Sequence, residues 1–458
     1  MTRTAVLPQV GLPLPEKTPL TRVQWLVLVA AFLGWMFDGL EQGLFPIAAR
    51  SAFLDLMPGA AEEAIGRSIS YLVASFLAGA ALGGVIFGWM GDRFGRVRTM
   101  AVTILAYSLF MGCCYFVPLP LGHWIPQGWH LFGHSVSHVV GTGPFQLAMF
   151  QFLAALGMGG EWALGVALIM ECWPEQLRPI LAGVIGAASN VGFLLIALLG
   201  VLFPIHPQSW RWVMLAGSSP ALLAFAVLIF LPESQRWKDS VRAGAGKPMR
   251  EIFTTKLFWR TLMATAFASV ALIGTWGAVS SFLPTWADHM VGRDFPRIKA
   301  VVQCLAASGA ILGCLIAPIV GGRIGRRPAY FGLCCLSLLV CTILFRFIYD
   351  FGAVFLLFCF LAGLTTAAFY GWLPLYLPEL FPTRVRATAQ GLSYNFGRVF
   401  ALMGVLGAGQ LITYFGGSLG NANPRAYPNA CATITLVYLV GMVLIWLAPE
   451  TKGKPLPD

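Results

Sequence analysis

Polar and apolar residues along this chain segregate into blocks of about twenty, not into the short periods that mark half-buried strands and surface helices. Twelve apolar runs stand out, approximately 23–47, 68–90, 99–118, 144–170, 179–203, 211–231, 258–284, 299–320, 328–348, 352–377, 387–415 and 430–447. Each is long enough to cross a bilayer as a helix, which takes about 20 residues. The pattern predicts an all-α polytopic membrane protein with twelve transmembrane helices and both termini on one side.

Composition agrees with that reading. Of 458 residues, 58% are hydrophobic and only 11% charged, against about 25% charged in a soluble domain. Residues 1–20 are broken by prolines, and the first apolar run is too long for a signal-peptide core, so it is read as the first span. The net charge of +11 does not point to nucleic acid, because the cations sit in short loops. Arg93, Arg96 and Arg98 follow the second run; Arg236, Lys238, Arg242, Lys247, Arg250 and Lys256 follow the sixth; Arg323, Arg326 and Arg327 follow the eighth. These loops share a side with Arg3, Lys17 and Arg22, and the cytoplasmic bias of Lys and Arg makes that side the inner one. A bacterial inner membrane with cytoplasmic termini is the expected location. The ten cysteines lie mostly within apolar runs and read as small buried hydrophobes.

Three segments recur across the middle of the chain. Glu171-x-x-Pro174-x-x-x-Arg178 returns 208 residues later as Glu379-x-x-Pro382-x-x-x-Arg386. Pro232-Glu233-Ser234 returns as Pro449-Glu450-Thr451, and Arg93-Phe-Gly95-Arg96 as Arg323-Ile-Gly325-Arg326. Matching loops at similar offsets indicate a duplication. The expected organisation is a tail at 1–22, a six-helix bundle at 23–232, a linker at 233–257, a second pseudo-symmetric six-helix bundle at 258–448 and a tail at 449–458.

The loop after the second run reads Gly88-Trp-Met-Gly91-Asp92-Arg93-Phe-Gly95-Arg96. It fills every fixed position of G-x-x-x-D-R-x-G-R and resembles the signature of the major facilitator superfamily. That resemblance covers about residues 23–454 and implies two six-helix halves with substrate at the midplane between them. It further implies that Asp92 bridges the halves at the cytoplasmic side, although Asp92 as a plain helix cap stays open. The second copy is degenerate, with Gly322 in place of Asp92 and Pro318 in place of the leading glycine. Gly157-Met-Gly159-Gly160-Glu161-Trp162 and Tyr376-Leu-Pro-Glu379-Leu-Phe-Pro382-Thr-Arg-Val-Arg386 are similar to the metabolite:proton symporters, a sugar-porter-like branch that includes carriers of organic acids. Residues 261–282 lack the Gln-Gln pair of sugar porters, and 181–199 lack the Gly-Pro-rich motif of drug antiporters.

Ionisable side chains inside a span are costly and mark function by default. Asp38 and Glu41 share one face of the first span at i,i+3 spacing and are candidates for the proton or substrate; a structural salt bridge is the other reading. Glu161 in the fourth span is read either as a proton site or as a hydrogen-bonding anchor. Arg398 in the eleventh span, with Tyr394 and Asn395 a turn earlier, offers a bidentate fork for a carboxylate, unless it neutralises Asp38. Asn190, Trp276, Tyr370 and Trp372 are candidate pocket residues or ordinary core. Asp92, Arg93, Gly95, Arg96, Glu171, Arg178, Arg323, Arg326, Glu379 and Arg386 are assigned to gating.

His130, His134 and His138 follow one another at i, i+4 and i+8, beside His123. A helix would align them as metal ligands, or the segment forms an outer interfacial helix; no metal is assigned. An enzyme would need a nucleophile–base pair or metal ligands at membrane depth, whereas all six histidines fall in or near outward loops. The reading is therefore a secondary transporter, not an enzyme. It moves a small organic anion with a proton, needs no cofactor beyond that proton, binds no nucleic acid and acts as a monomer in lipid. The alternative cargo is a neutral or cationic metabolite.

Overall fold

A computed structural model of the chain describes residues 20–124, 126, 129–131, 134–203, 206–243, 248–291, 294–295, 297–416, 423 and 425–457. Most of the expected N-terminal tail, residues 244–247 of the linker and the final residue lie outside the described set. Within it run twelve long helical segments: α1 Arg22–Leu56, α2 Glu62–Phe94, α3 Arg96–Cys113, α4 Gly143–Cys172, α5 Arg178–Leu202 and α6 Trp210–Phe230 in the first half. The second half has α7 Lys256–Val291, α8 Ile298–Ile324, α9 Arg326–Phe347, α10 Ala353–Leu380, α11 Arg386–Tyr414 and α12 Ala426–Leu447.

Eleven of these are long and apolar enough to cross a membrane. The other, α11, has 29 residues but carries Thr388, Gln390, Ser393, Asn395 and Arg398 among its apolar ones. Large side chains such as Leu222, Ile229, Phe230 and Val443 lie on the outside, 76%, 72%, 61% and 68% exposed. Water would not tolerate such a surface, and hydrocarbon favours it.

Packing between helices depends on close backbone approach, as membrane interfaces do. A Cβ at Gly79 or Gly83 of α2 would lie 2.2 Å from the Phe152 oxygen or 1.8 Å from the Leu156 oxygen of α4. In the second half Gly309 and Gly313 of α8 meet Phe360 and Leu364 of α10 in the same way, at 2.0 Å each. These glycine pairs are 230 residues apart, the offset of the two arginine-rich loops, so the duplication extends into the packing. Gly83→Ala is expected to lower stability by about 1–3 kcal/mol through overpacking. Gly332→Ala, where nothing lies within 4 Å, is expected not to. Thermal unfolding of the two variants in detergent checks this.

Across the halves α2 packs along α11, and α5 along α8 and α10. Two helices that face the centre depart from regular geometry. Residues Thr275–Ser280 of α7 form a π-helical turn, a feature frequent at functional sites. The helix α10 breaks between Thr366 and Phe369, and the Thr275 hydroxyl donates to the Thr366 carbonyl at 2.6 Å. Irregular backbone at membrane depth is tolerated where it lines a cavity.

Candidate functional site

At the arginine-rich end each half builds the same knot. Gly95 (φ 111°) and Gly325 (φ 109°) are single-residue turns from α2 to α3 and from α8 to α9, in a region that favours glycine. In the first half Glu233 accepts from the amides of Arg96 (2.8 Å) and Val97 (3.1 Å). The buried Arg96 donates to the Gly91 carbonyl (2.7 Å) and pairs with Glu171 (3.2 Å), which also accepts from the Ser234 hydroxyl (2.7 Å). In the second half Glu450 accepts from the amides of Arg326 (3.0 Å) and Arg327 (3.1 Å). Arg326 donates to the Gly321 carbonyl (3.0 Å) and pairs with Glu379 (2.6 Å), itself bonded by Thr451 (2.6 Å). The repeated Pro-Glu-Ser and Pro-Glu-Thr segments are thus remote caps on the N-termini of α3 and α9. Glu233, Ser234, Glu450 and Thr451 showed in the sequence through their repetition and through the likeness of 232–237 and 449–454 to the motifs that close each half of sugar-porter-like members.

Burial pushes the Glu450 carboxyl up, but the amides of Arg326, Arg327, Lys452 and Thr451 outweigh it and hold the group below its ordinary value of 4.5. A lowered native value means stability that is complete above pH 4.5 and lost as pH falls through the native value. Glu450→Gln is therefore expected to melt below the wild type at pH 7, with the gap narrowing as pH drops below 4.5. Melting curves across that range check it.

The two knots differ where the halves meet. Asp92 pairs with Arg96 (2.9 Å) and accepts from the amides of Ala387 (3.2 Å) and Thr388 (2.8 Å) at the start of α11. Arg386 reaches back to Glu171 at 3.1 Å, and Arg96 donates to the Thr383 carbonyl at 2.7 Å. Arg386 also donates to the Pro457 carbonyl (2.8 Å), beside the buried Leu456, so the C-terminal residues are tucked against the same seam. The arginine-rich end is closed between α2, α4 and α11. Among the described residues the degenerate copy makes no such polar bridge: Gly322 has no carboxylate and packs against Pro179 of the first half.

Three residues assigned to gating make no ion pair across the halves among the described residues. Arg178 pairs with its neighbour Glu175 (2.7 Å), while Glu379, its partner in the repeat, pairs with Arg326. Arg93 and Arg323 are exposed, with the Arg93 guanidinium 5.5 Å over the Trp89 ring.

A cavity of about 830 Å³ lies between the halves, lined by Trp35, Asn190, Trp276, Tyr370 and Tyr394 and reaching Arg50, Arg297 and Lys299 at the opposite end. Trp276 sits on the π-helical turn of α7, 5.5 Å from Phe193. Asn190 lies 3.5 Å from the Cys314 sulfur. Tyr394 stacks on Trp162 at 4.1 Å, with Trp35 edge-on at 6.2 Å. These rings floor the cavity.

The charges lie behind the floor rather than on the cavity wall. Asp38 and Arg398, 0% and 5% exposed, approach to 3.7 Å across the halves, with the Arg398 guanidinium 5.2 Å from the Tyr394 ring. Glu161 occupies space left by Gly34, whose Cβ would fall 1.8 Å from its Oε1. The carboxyl oxygens of Asp38, Glu41 and Glu161 and the Arg398 Nη1 are buried without a hydrogen-bond partner among the described residues.

Other expectations fall elsewhere. Trp372 does not line the cavity; beyond the break in α10 it packs on Tyr330 and Tyr376 and donates to the Arg326 carbonyl. Asn395 spans from α11 to the Gly159 carbonyl of α4 (2.8 Å), a bridge rather than a cavity contact. The aligned histidines do not form: residues 130–131 and 134–135 pair as antiparallel strands, and only His138 lies on the short helix Val136–Gly141. Glycines at 128, 133 and 141 make a continuous helix there costly. Among the described residues no three His, Cys, Asp or Glu side chains gather as a metal site would.

Two halves closed at one end around a central cavity agree with the match of residues 25–404 to the family model described as Major Facilitator Superfamily. The chain belongs to the major facilitator superfamily. Like its relatives it is a transporter and an integral membrane protein. A putative metabolite transport protein of Haemophilus influenzae is 28% identical over 447 residues, covering 94% of this chain and 98% of the relative. The cis,cis-muconate transport protein of Acinetobacter baylyi is 28% identical over 408 residues, covering 86% and 89%. Among solved structures, the proton:xylose symporter XylE bound to 6-bromo-6-deoxy-D-glucose superposes with a TM-score of 0.70, at 17% identity and 95% coverage of this chain, which shows the shared fold.

Proposed function

We propose that this facilitator carries a small organic anion together with a proton across a bacterial inner membrane, with the arginine-rich end and both termini cytoplasmic. The observation that carries the reading is the Asp38–Arg398 pair, held between the halves at 3.7 Å behind the aromatic floor. A buried ion pair is weak evidence for stability, because desolvation offsets much of its attraction. A cation shared between an internal acid and an incoming carboxylate is instead a coupling device. When Asp38 takes a proton, Arg398 loses its counter-ion and is free to hold a substrate carboxylate in its fork. When Asp38 releases the proton, it reclaims Arg398 and expels the anion. Glu41 and Glu161, buried beside it, are further proton sites. The relative named for cis,cis-muconate, a dicarboxylate, supports this choice of cargo.

In this scheme bundles 23–232 and 258–448 rock about the cavity, with α2–α11 and α5–α8 as the sliding seams. The closed arginine-rich end corresponds to the outward-facing arm of the cycle. Uptake by proteoliposomes of a panel of cis,cis-muconate, benzoate, nicotinate and lactate, with and without an inward proton gradient, tests the reading. Accumulation driven by the gradient is expected for at least one acid. Acid uptake indifferent to the gradient removes the coupling, and uptake of a sugar or a cation instead removes the anion.

A further inference from the structure

We propose that α3 carries the exit route of the coupling proton, from Glu161 through the Tyr107 hydroxyl and along Thr103 and Thr99 to the Arg96–Glu171 knot. This inference rests on the proton coupling proposed above. It starts from how α3 and α4 touch. A Cβ at Gly157 would lie 2.8 Å from the Tyr107 nitrogen, and one at Gly160 would lie 3.2 Å from the Thr103 Cγ2. Glu161 follows Gly160 directly and lies one turn beyond Gly157, so its carboxyl sits at the level of Tyr107 and Thr103. Both Tyr107 and Glu161 are about 16 Å from the arginine-rich ends of their helices, given the rise per residue.

Tyr107, Thr103 and Thr99 repeat every fourth residue on one face of α3, and Arg96 lies one turn further on. All four are buried; the Tyr107 Oη, Thr99 Oγ1 and Arg96 Nε have no hydrogen-bond partner among the described residues, whereas the Thr103 hydroxyl donates to the Met100 carbonyl of its own helix at 2.7 Å. The acids that face Tyr107 are Glu161 from α4 and Glu41 and Asp38 from α1. Between Glu161 and Arg96 the neighbouring helices present buried Val27, Ala30 and Ala31, Phe87, Leu164 and Leu168. On α3 the buried polar residues between Tyr107 and Arg96 are Thr103 and Thr99. Packing alone does not call for Tyr107 and Thr99, since Phe and Val would fill the same space without burying an unpaired hydroxyl.

Each hydroxyl accepts a proton on its oxygen and passes its own onward, then turns back before the next proton; for Thr103 this means leaving the Met100 carbonyl and returning to it. One proton leaves Glu161 and one reaches water at the arginine-rich end when the Glu171–Arg386 seam opens. Successive hydroxyls are about 6 Å apart along the helix, a step that a single bridging water spans.

The test separates exchange from accumulation in proteoliposomes, using whichever of cis,cis-muconate, benzoate, nicotinate and lactate the wild type concentrates most. Exchange of labelled for unlabelled acid at equal pH needs no net proton release, whereas gradient-driven accumulation does. Tyr107→Phe is expected to cut accumulation about tenfold or more with exchange unchanged, and the isosteric Thr103→Val to cut it in the same direction. Tyr107→Phe and Thr103→Val that both concentrate the acid at the wild-type rate would overturn the route. A loss of exchange in step with accumulation would overturn it too, by making these residues structural. If the wild type itself ignores the proton gradient, the coupling fails, a result visible before any variant is made.

Discussion

Arg398→Gln is expected to abolish concentrative uptake of an organic anion, with kcat/KM falling by about 30-fold at least. That figure corresponds to about 2 kcal/mol, the lower end of the cost of truncating one partner of a buried charge pair. The variant leaves Asp38 with no cation, and neither a proton taken up there nor an anion in the cavity has anything to exchange for. Arg398→Lys keeps the charge and loses the planar fork, so KM is expected to rise about tenfold while kcat changes less. Asp38→Asn is the complementary case: with no proton to take or lose, it leaves Arg398 available to the anion at every pH. Exchange should persist and the response to a proton gradient should vanish. Initial-rate uptake by the three variants, with melting curves as a folding control, checks the set. An unchanged KM in Arg398→Lys would mean that the guanidinium does not touch the cargo.

The second large effect belongs to the closed end. Glu171 pairs with Arg96 at 3.2 Å and with Arg386 at 3.1 Å, all three side chains 0% exposed. Glu171→Gln leaves the buried Arg386 with no ion pair among the described residues and Arg96 with Asp92, and breaking a buried pair costs about 3–5 kcal/mol. The closed state alone bears that cost across the halves, so the protein is expected to swing to the state open at the arginine-rich end. Hydrogen–deuterium exchange of residues 383–390 should then rise. Glu379→Gln is the control, because its partner Arg326 lies in the same half. It should lower the melting point comparably and leave exchange over 383–390 as in the wild type. Equal exchange in the two variants would refute the assignment of the seam to Glu171.

The helices were legible because lipid imposes one coarse rule on every span, and the twelve runs match α1–α12. Boundaries slipped where that rule stops applying. The first run ends near residue 47, whereas α1 continues to Leu56 through Arg50, Ser51 and Asp55, which are polar but still helical. The knots were half legible. Duplication repeats Glu171 as Glu379 and Arg96 as Arg326, but nothing in the letters says that Asp92 finds the backbone amides of Ala387 and Thr388 nearly three hundred residues away. Backbone donors carry no sequence signature. Asp38 and Arg398 could be named as charges in oil, and their pairing was one of the readings left open. Trp372 shows the opposite failure: its helix does face the cavity, but the break after Thr366 turns that ring into the core of the second half.

The C-terminal residues have a practical consequence for anyone handling this protein. With Leu456 buried and the Pro457 carbonyl bonded to Arg386, a reporter or affinity handle fused directly behind that segment would tug on the latch between the bundles. Material prepared that way would start from a skewed resting population. Turnover measured on it would describe the handle as much as the carrier, unless a long flexible spacer lets the segment stay seated.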